Sequence, residues 1–494
     1  MKRYYFLVLV AFVLLIPLVS SEAERAYPTL PGSISSPSFG YVVHYDDTDA
    51  TSADYMPAAQ AQFMVDTCNN GDTPTVGNPN GLHVGYTDVG FKAPDFLSST
   101  RNIYTYACTS CDSGSAPSDA ILLPASAYDT AGEQCIRSIV GHELFHHVQF
   151  AYITFNKWPN WVHPLEGTAR MFQDKYYNDL DAWNGAGCCC GYEGEINGYL
   201  ANPNRTIWDL SYPSVLWWTY LTEQLGLQTA EPNAGADFVV ELWERAEANN
   251  NPVDVVKAVR EAIAAFTSRS MESLFQDFTI TNYIKQMDLS LLSSPSHYRY
   301  RDERDGNAQV FNTVNISWNG STPRTASSNV KRWGARYFEA NVSTCGDGVV
   351  GFHSEGDQAG YTLIPIKGTD RVQSINKATV DNYSRALLQS SSSPYTKLGV
   401  VVTGGNTDAN FTYTFDCGQV DMEIREPNYP DPIAYVGAHN APERFLVKVR
   451  VQGPVSLGTP SVEGLESDDF QVYVGSASNP GDEAEVINGA YVQG

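Results

Sequence analysis

The run His142-Glu143-Leu144-Phe145-His146 places two imidazoles four residues apart, with a carboxylate directly after the first. Residues four apart share one face of an α-helix, so both rings can meet a single zinc ion. Glu143 lies close enough to reach a water on that ion and take its proton. The flanks suit a helix buried in a core. Ile136, Ile139, Val140, Leu144, Phe145, Val148 and Phe150 are apolar, no proline interrupts, and Gly132-Glu133 offers an acidic start. The competing reading is an amphipathic helix with two exposed histidines.

A zinc hydrolase needs a third protein ligand and one open position. The segment Trp161-Val162-His163-Pro164-Leu165-Glu166-Gly167-Thr168-Ala169-Arg170 offers two candidates, His163 and Glu166. Glu166 is expected at the start of a new helix. Pro164 disfavours helix at His163 and puts that residue in the approach. A metzincin would need glycine at 149 and histidine at 152, where this chain has Gln149 and Tyr152. The pattern instead resembles the gluzincins, zinc peptidases whose third ligand is a glutamate on a following helix. It is similar to secreted prokaryotic metalloproteases with an HExxHxxQ…W…EGTA pattern, carried here by His142, Glu143, His146, Gln149, Trp161, Glu166, Gly167, Thr168 and Ala169. The resemblance covers residues 40–290 and is concentrated in 138–170.

The resemblance implies a zincin-like fold, Zn²⁺ held by His142, His146 and Glu166, and Glu143 as general base. It implies an edge strand before the active-site helix, Ala120 to Ser126, that holds an extended peptide. It also implies a downstream tyrosine as oxyanion donor, with Tyr212 the first choice and Tyr220 and His163 the alternatives. One position departs from the pattern. Many gluzincins carry an acid four residues after the ligand glutamate, where it supports a ligand histidine; this chain has Arg170, with Asp174 a turn further on.

The ends and the charge bound the rest. Lys2 and Arg3 precede an apolar run, Phe6 to Val19, too short to span a bilayer comfortably, and small residues follow at Ser20, Ser21 and Ala23. Residues 1–21 therefore read as a secretory signal, with export expected, and a retained anchor as the alternative. The formal charge of −25 argues against nucleic acid and anionic membranes as partners. Nine cysteines in an exported chain point to disulfides, with one left over. Cys108 and Cys111 form a CxxC and Cys188-Cys189-Cys190 are consecutive; disulfides are favoured over a structural zinc site.

Along the chain, Tyr41–Tyr45, Leu82–Tyr86, Ile103–Tyr106 and Ile121–Leu123 read as strands, and Ala53 to Cys68 as a helix. Beyond the two active-site helices, a Gly/Cys-rich loop is expected over 184–206. Helices follow at Ser214–Leu225, Asp237–Asn249, Pro252–Thr267 and Glu272–Met287. Together, residues 27–290 make an α+β zincin-like domain, and 291–309 a linker. Period-two patches at Asn312–Trp318, Tyr337–Val342, Val400–Thr403 and Phe411–Phe415 make 310–417 an all-β sandwich. Cys345 and Cys417 are its only cysteines and are expected to pair. Strand-like runs at Phe445–Val451 and Asp469–Gly475 suggest an immunoglobulin-like module over 420–494, which stops as a strand begins, as a fragment would.

The expected function is an exported zinc metallopeptidase acting on protein or peptide, its β modules binding a cell surface, matrix or glycan. The alternatives are a non-catalytic adhesin or binding protein on a relic zincin fold, and a zinc hydrolase of a non-peptide amide or ester. An intact Glu143 argues against the relic, which would be free to lose it.

Overall fold

The computed structural model describes residues 27–36, 38–69, 81–108, 114–128, 133–154, 161–176, 193–230, 233–249, 254–301, 313–316, 322–345, 348–356, 359–378, 384–389, 394–418, 421–426, 448–452, 462–463, 472–476 and 479–484. The expected signal, Cys111, Cys188 to Cys190 and most of the last 75 residues lie outside this set.

A four-stranded sheet opens the chain: β1 (Gly32–Ser35), β2 (Tyr41–Tyr45), β3 (Arg101–Tyr106) and β4 (Ala120–Pro124), in that order. β1 runs antiparallel to β2; β2, β3 and β4 are parallel. Parallel neighbours need a crossover, and α1 (Ala58–Asn69) with α2 (Gly81–Val89) provides the one between β2 and β3. α1 begins five residues later than its apolar pattern suggests. Pro57 opens its first turn, and the Asp54 carboxylate is occupied in accepting the Ala107 amide at 2.6 Å.

The strand expected at Leu82–Tyr86 is instead part of α2. Leu82, Val84 and Tyr86 alternate as a strand would, but Leu82, Tyr86 and Val89 recur at the helical spacing of four and three. The outcome is set by tertiary contacts, including the Tyr86 hydroxyl donating to the Gly141 carbonyl at 2.9 Å.

After the short α3 (Ala125–Tyr128), the chain is helical: α4 (Glu133–Phe150), α5 (Val162–Lys175), α6 (Glu193–Ala201), α7 (Val215–Leu225), α8 (Ala236–Ala248), α9 (Val255–Phe266) and α10 (Met271–Ile284). The expected 184–206 loop is in part α6, hidden in sequence by the glycines at 194 and 198. Asp254 and Ser270 cap α9 and α10 by accepting the amides of Lys257 and Ser273. One core joins this sheet and these helices, with Trp161, Trp217, Trp218 and Trp243 fully buried.

The β-sandwich follows. One sheet holds β5 (Thr313–Ile316), β7 (Ala335–Asn341), β13 (Tyr395–Gly404), β9 (Ala359–Lys367), β10 (Arg371–Val372) and β11 (Asn376–Ala378). The other holds β6 (Arg324–Val330), β14 (Ala409–Gly418), β8 (Gly348–Gly356) and β12 (Ser384–Gln389). The C-terminal strand β17 (Val462–Glu463) joins this second sheet, parallel to β12. Cys345 and Cys417 are disulfide-bonded, their Cα atoms 5.6 Å apart. Of the remaining C-terminal residues, β15 (Asp421–Glu426) pairs with β16 (Lys448–Gln452) and β18 (Val472–Ser476) with β19 (Asn479–Ala484).

β13 reads as a continuous apolar run because both its faces are covered. Leu398, Val400 and Val402 enter the sandwich core, while Val401 packs with Ile280, Tyr283 and Ile284 of α10. The described part of the expected linker, up to Arg301, is also tied down. The Tyr300 hydroxyl donates to Asn282 at 2.8 Å and the Arg301 amide to Glu223 at 2.9 Å.

Candidate metal centre

α4 and α5 pack side by side and carry the site. On α4, four-residue spacing brings the His142 and His146 Nε2 atoms within 3.1 Å of each other. Glu166 Oε2 on α5 lies 3.3 Å from the first and 3.5 Å from the second. All three side chains are buried. Four tetrahedral bonds of about 2.0–2.1 Å set ligand atoms roughly 3.3 Å apart, so this triangle has the edges of a zinc site. Its chemistry fits too. Glu166 Oε2 is buried with no hydrogen-bond partner, facing two ring nitrogens. Three such acceptors need a cation or protons between them.

Hydrogen bonding fixes one ligand's tautomer. Gln149 spends both amide hydrogens, on the Leu165 carbonyl at 2.9 Å and Thr168 Oγ1 at 3.0 Å. Its Oε1 therefore faces His146 Nδ1 at 2.7 Å as acceptor, which leaves Nε2 with a lone pair that a metal ion could take. This gives Gln149 and Thr168 of the sequence pattern their physical role. Gly167 has a different one. A Cβ there would collide with Ser214 Oγ and the Trp218 ring, so only glycine lets α7 and the turn before it approach α5 this closely. His142 Nδ1 is buried without a hydrogen-bond partner.

Electrostatics follow the same geometry. Burial raises the Glu166 pKa, but the facing imidazoles outweigh it and hold the carboxyl well below its usual range. Burial pushes His142 down to about 3 and Glu143 up to about 7. For His146 burial opposes the proton, and the Glu166 and Glu143 carboxylates win, leaving it raised.

α5 starts at Val162, four residues ahead of Glu166, so His163 and Pro164 are in its first turn, where proline is tolerated. His163 is boxed by Trp208 and Trp218, with ring centroids at 4.7 and 5.3 Å, and is not among the converging donors. Tyr220 is buried against Trp217 and Phe278 in the core. Tyr212 opens the 3₁₀ turn Tyr212–Ser214, and its ring centroid lies 5.8 Å from that of His142. Ser214 Oγ donates to the His163 carbonyl at 2.8 Å, which docks this turn on α5.

The edge of the sheet needs correction. Leu122 of β4 exchanges both backbone hydrogen bonds with Ser115, at 2.8 and 3.0 Å. The outer side of β4 is thus taken by the chain itself, and Ser126 belongs to α3. The exposed backbone is one chain further out. In such a bonded pair, Ser115 points its groups inward, and its neighbours Gly114 and Ala116 point theirs outward. A Cβ at position 114 would sit 2.5 Å from Glu143 Oε1, so a side chain there would push the Glu143 carboxylate aside. His147 stitches this edge to α4, its ring nitrogens 3.0 Å from the Asp95 carbonyl and 3.1 Å from that of Ala120. A single isolated bridge leaves no alternation by which the sequence could reveal the Gly114–Ala116 segment.

No family model matches this chain, and no curated protein matches it. Among solved structures it is similar to the periplasmic inhibitor of g-type lysozyme from Salmonella Typhimurium, at 10% identity and TM-score 0.15, over 21% of this chain and 96% of that one. It is also similar to a family GH115 4-O-methyl-α-glucuronidase with specificity for decorated arabinogalactans, at 10% identity and TM-score 0.13, over 67% and 54% of the two chains. Neither likeness is close enough to bear on fold or function.

Proposed function

We propose that this protein is an exported zinc-dependent metallopeptidase with a zincin-like α+β domain. The observation that carries the reading is the buried triangle of His142, His146 and Glu166, with tetrahedral edge lengths, beside an intact Glu143. A bound zinc ion would polarise a substrate carbonyl and acidify water at the open position. Glu143 would take a proton from the attacking water and pass it to the leaving nitrogen. Its raised pKa, near 7, suits a base that must also give the proton back. Tyr212 would donate its phenol hydrogen bond to the oxyanion. The outward backbone groups of Gly114 and Ala116 would pair with an extended peptide and lay it across Glu143.

Export is supported by the signal-like sequence of residues 1–21 and by the Cys345–Cys417 disulfide. Cys108 is disulfide-bonded as well, in keeping with the disulfide reading of the CxxC. Among the described residues, no helix is long and apolar enough to cross a membrane. A cell-surface, matrix or glycan partner for the β modules would find a cleft of about 350 Å³ on the sandwich, lined by Asn315, Glu339, Asn341, Thr396 and Lys397.

Metal analysis of the purified protein, with hydrolysis of denatured casein before and after chelation, tests the reading. One zinc per chain and activity lost on chelation and restored by zinc are expected. Stoichiometric zinc with no hydrolysis of casein or a proteome-derived peptide library would favour the binding-protein alternative.

A further inference from the structure

Arg170 stands one helical turn beyond Glu166, where an acid was expected, and it is buried. Its guanidinium carbon lies 4.5 Å from the centroid of the Tyr212 ring. Nη1 donates to Gln173 Oε1 at 3.0 Å, and Nη2 lies 3.5 Å from Glu195 Oε1 on α6. Gln173 in turn donates to Ser138 Oγ on α4. One side chain therefore links both metal-bearing helices, α6 and the turn that carries Tyr212. Charge fits as well as contact. Glu143, Glu166 and Glu195 bring three carboxylates to this region, and Arg170 with one divalent cation balances them.

We propose that Arg170 is a positioning residue that clamps the Tyr212 ring beside His142, itself held by Glu195 and Gln173. Cation–π contact fixes the ring face, and the fork-shaped donors fix the guanidinium. A flexible ammonium would keep the charge but lose the fork. The proposal rests on the metallopeptidase reading for its catalytic consequence but not for the clamp itself.

The test uses the full chain. Arg170→Met removes the charge at similar length, and pairing it with Glu195→Gln avoids leaving a buried carboxylate unpaired if the single variant folds poorly. Zinc content should be unchanged, with kcat down roughly 10–100-fold and KM within about twofold. In a Tyr212→Phe background the same change should add little, because the group being positioned is gone. Arg170→Lys should recover part of the loss. Independently of activity, labelling with 3-fluorotyrosine gives a ¹⁹F resonance for Tyr212, identified by its absence in Tyr212→Phe. That resonance should shift or broaden in Arg170→Met/Glu195→Gln and move less in Glu195→Gln alone, where Gln173 still holds the guanidinium. An unmoved resonance, or a kcat loss fully additive with Tyr212→Phe, overturns the clamp. A wild type that binds zinc without hydrolysing peptides overturns the peptidase reading and leaves the ¹⁹F result to decide the clamp.

Discussion

On α4 and α5 the α+β domain buries His142, Glu143, His146, His147, Gln149, His163, Glu166 and Arg170, whereas the sandwich core is Val330, Phe338, Val350, Phe352, Leu363, Leu398, Val400, Phe411 and their apolar neighbours. Burying titratable groups works against stability unless each is paired, so a fold carries such a cluster where chemistry needs it. The sandwich core is built on apolar side chains and closed by a disulfide. If the contrast is sound, changes in the first region should move activity more than stability, and changes in the second the reverse.

The sharpest check on the first half of that statement is Glu143→Ala. Glu143 is not one of the three converging donors, so zinc should stay while turnover falls by about 10²–10⁴-fold, the range for a lost general base. Zinc lost from that variant, or near-normal hydrolysis, removes Glu143 from the base role.

The mirror experiment replaces both Cys345 and Cys417 by serine. The bond closes a sequence separation of 72 residues, and losing it should destabilise the sandwich by roughly 2–5 kcal/mol. Zinc content and kcat per folded molecule should be unchanged. A metal site lost along with the disulfide would mean that the two regions fold as one unit.

What could be read in advance follows the same division. The HExxH helix and Glu166 were legible because their signal is local: histidines four apart on one helix and a glutamate in the first half of the next, though not at its start. Of the sandwich strands only β5, β7, β13 and β14 were legible from patterning, while β6, β8, β9 and β12 were not, and the Cys345–Cys417 pair was legible by elimination within that segment. The parts that escaped depend on distant partners. Arg170 takes its meaning from Tyr212 and Glu195, which arrive on separate elements. α2 reads as a strand because Leu82, Val84 and Tyr86 alternate, while its helical face is Leu82, Tyr86 and Val89. The bridge between Ser115 and Leu122 is a single pair, too short to leave any pattern.

Acid should separate the halves thermodynamically. Burial lowers His147 to about 4 and His163 to about 3, both in the α+β domain. Their folded pKa values lie below the unfolded value of about 6.5, so the unfolded chain binds more protons between those limits. The stability they hold is complete above pH 6.5 and is lost as pH falls through 4 and then 3, on the order of 3 kcal/mol for His147 and about 5 kcal/mol for His163 if neither relaxes. Acid release of zinc acts in the same direction, so chelator-treated protein isolates the histidine part. Urea unfolding followed by tryptophan fluorescence reports mainly on this domain, through Trp161, Trp217, Trp218 and Trp243. A flat stability between pH 7 and pH 4.5 would show these histidines gaining protons without unfolding.

The smallest effect is expected where the two regions meet. Glu272 at the start of α10 takes a paired contact from Arg260 of α9, one arm at 3.1 Å, and accepts from Asn406 beyond β13 at 3.3 Å. Burial would raise its pKa, but the Arg260 hydrogen bonds win and lower it. A carboxylate with a depressed folded pKa stabilises above its ordinary range near 4.5, and that contribution disappears as pH falls through the folded value. The pair is partly exposed, so solvent screening limits it to less than about 1 kcal/mol. Glu272→Gln should therefore lower the melting temperature slightly at pH 7 and match the wild type at pH 2.5. A difference that persists in acid would assign the loss to geometry rather than charge. A drop well above that limit at pH 7 would mean that this contact fastens the α+β domain to the sandwich, and the contrast between the two regions would then be one of chemistry but not of folding.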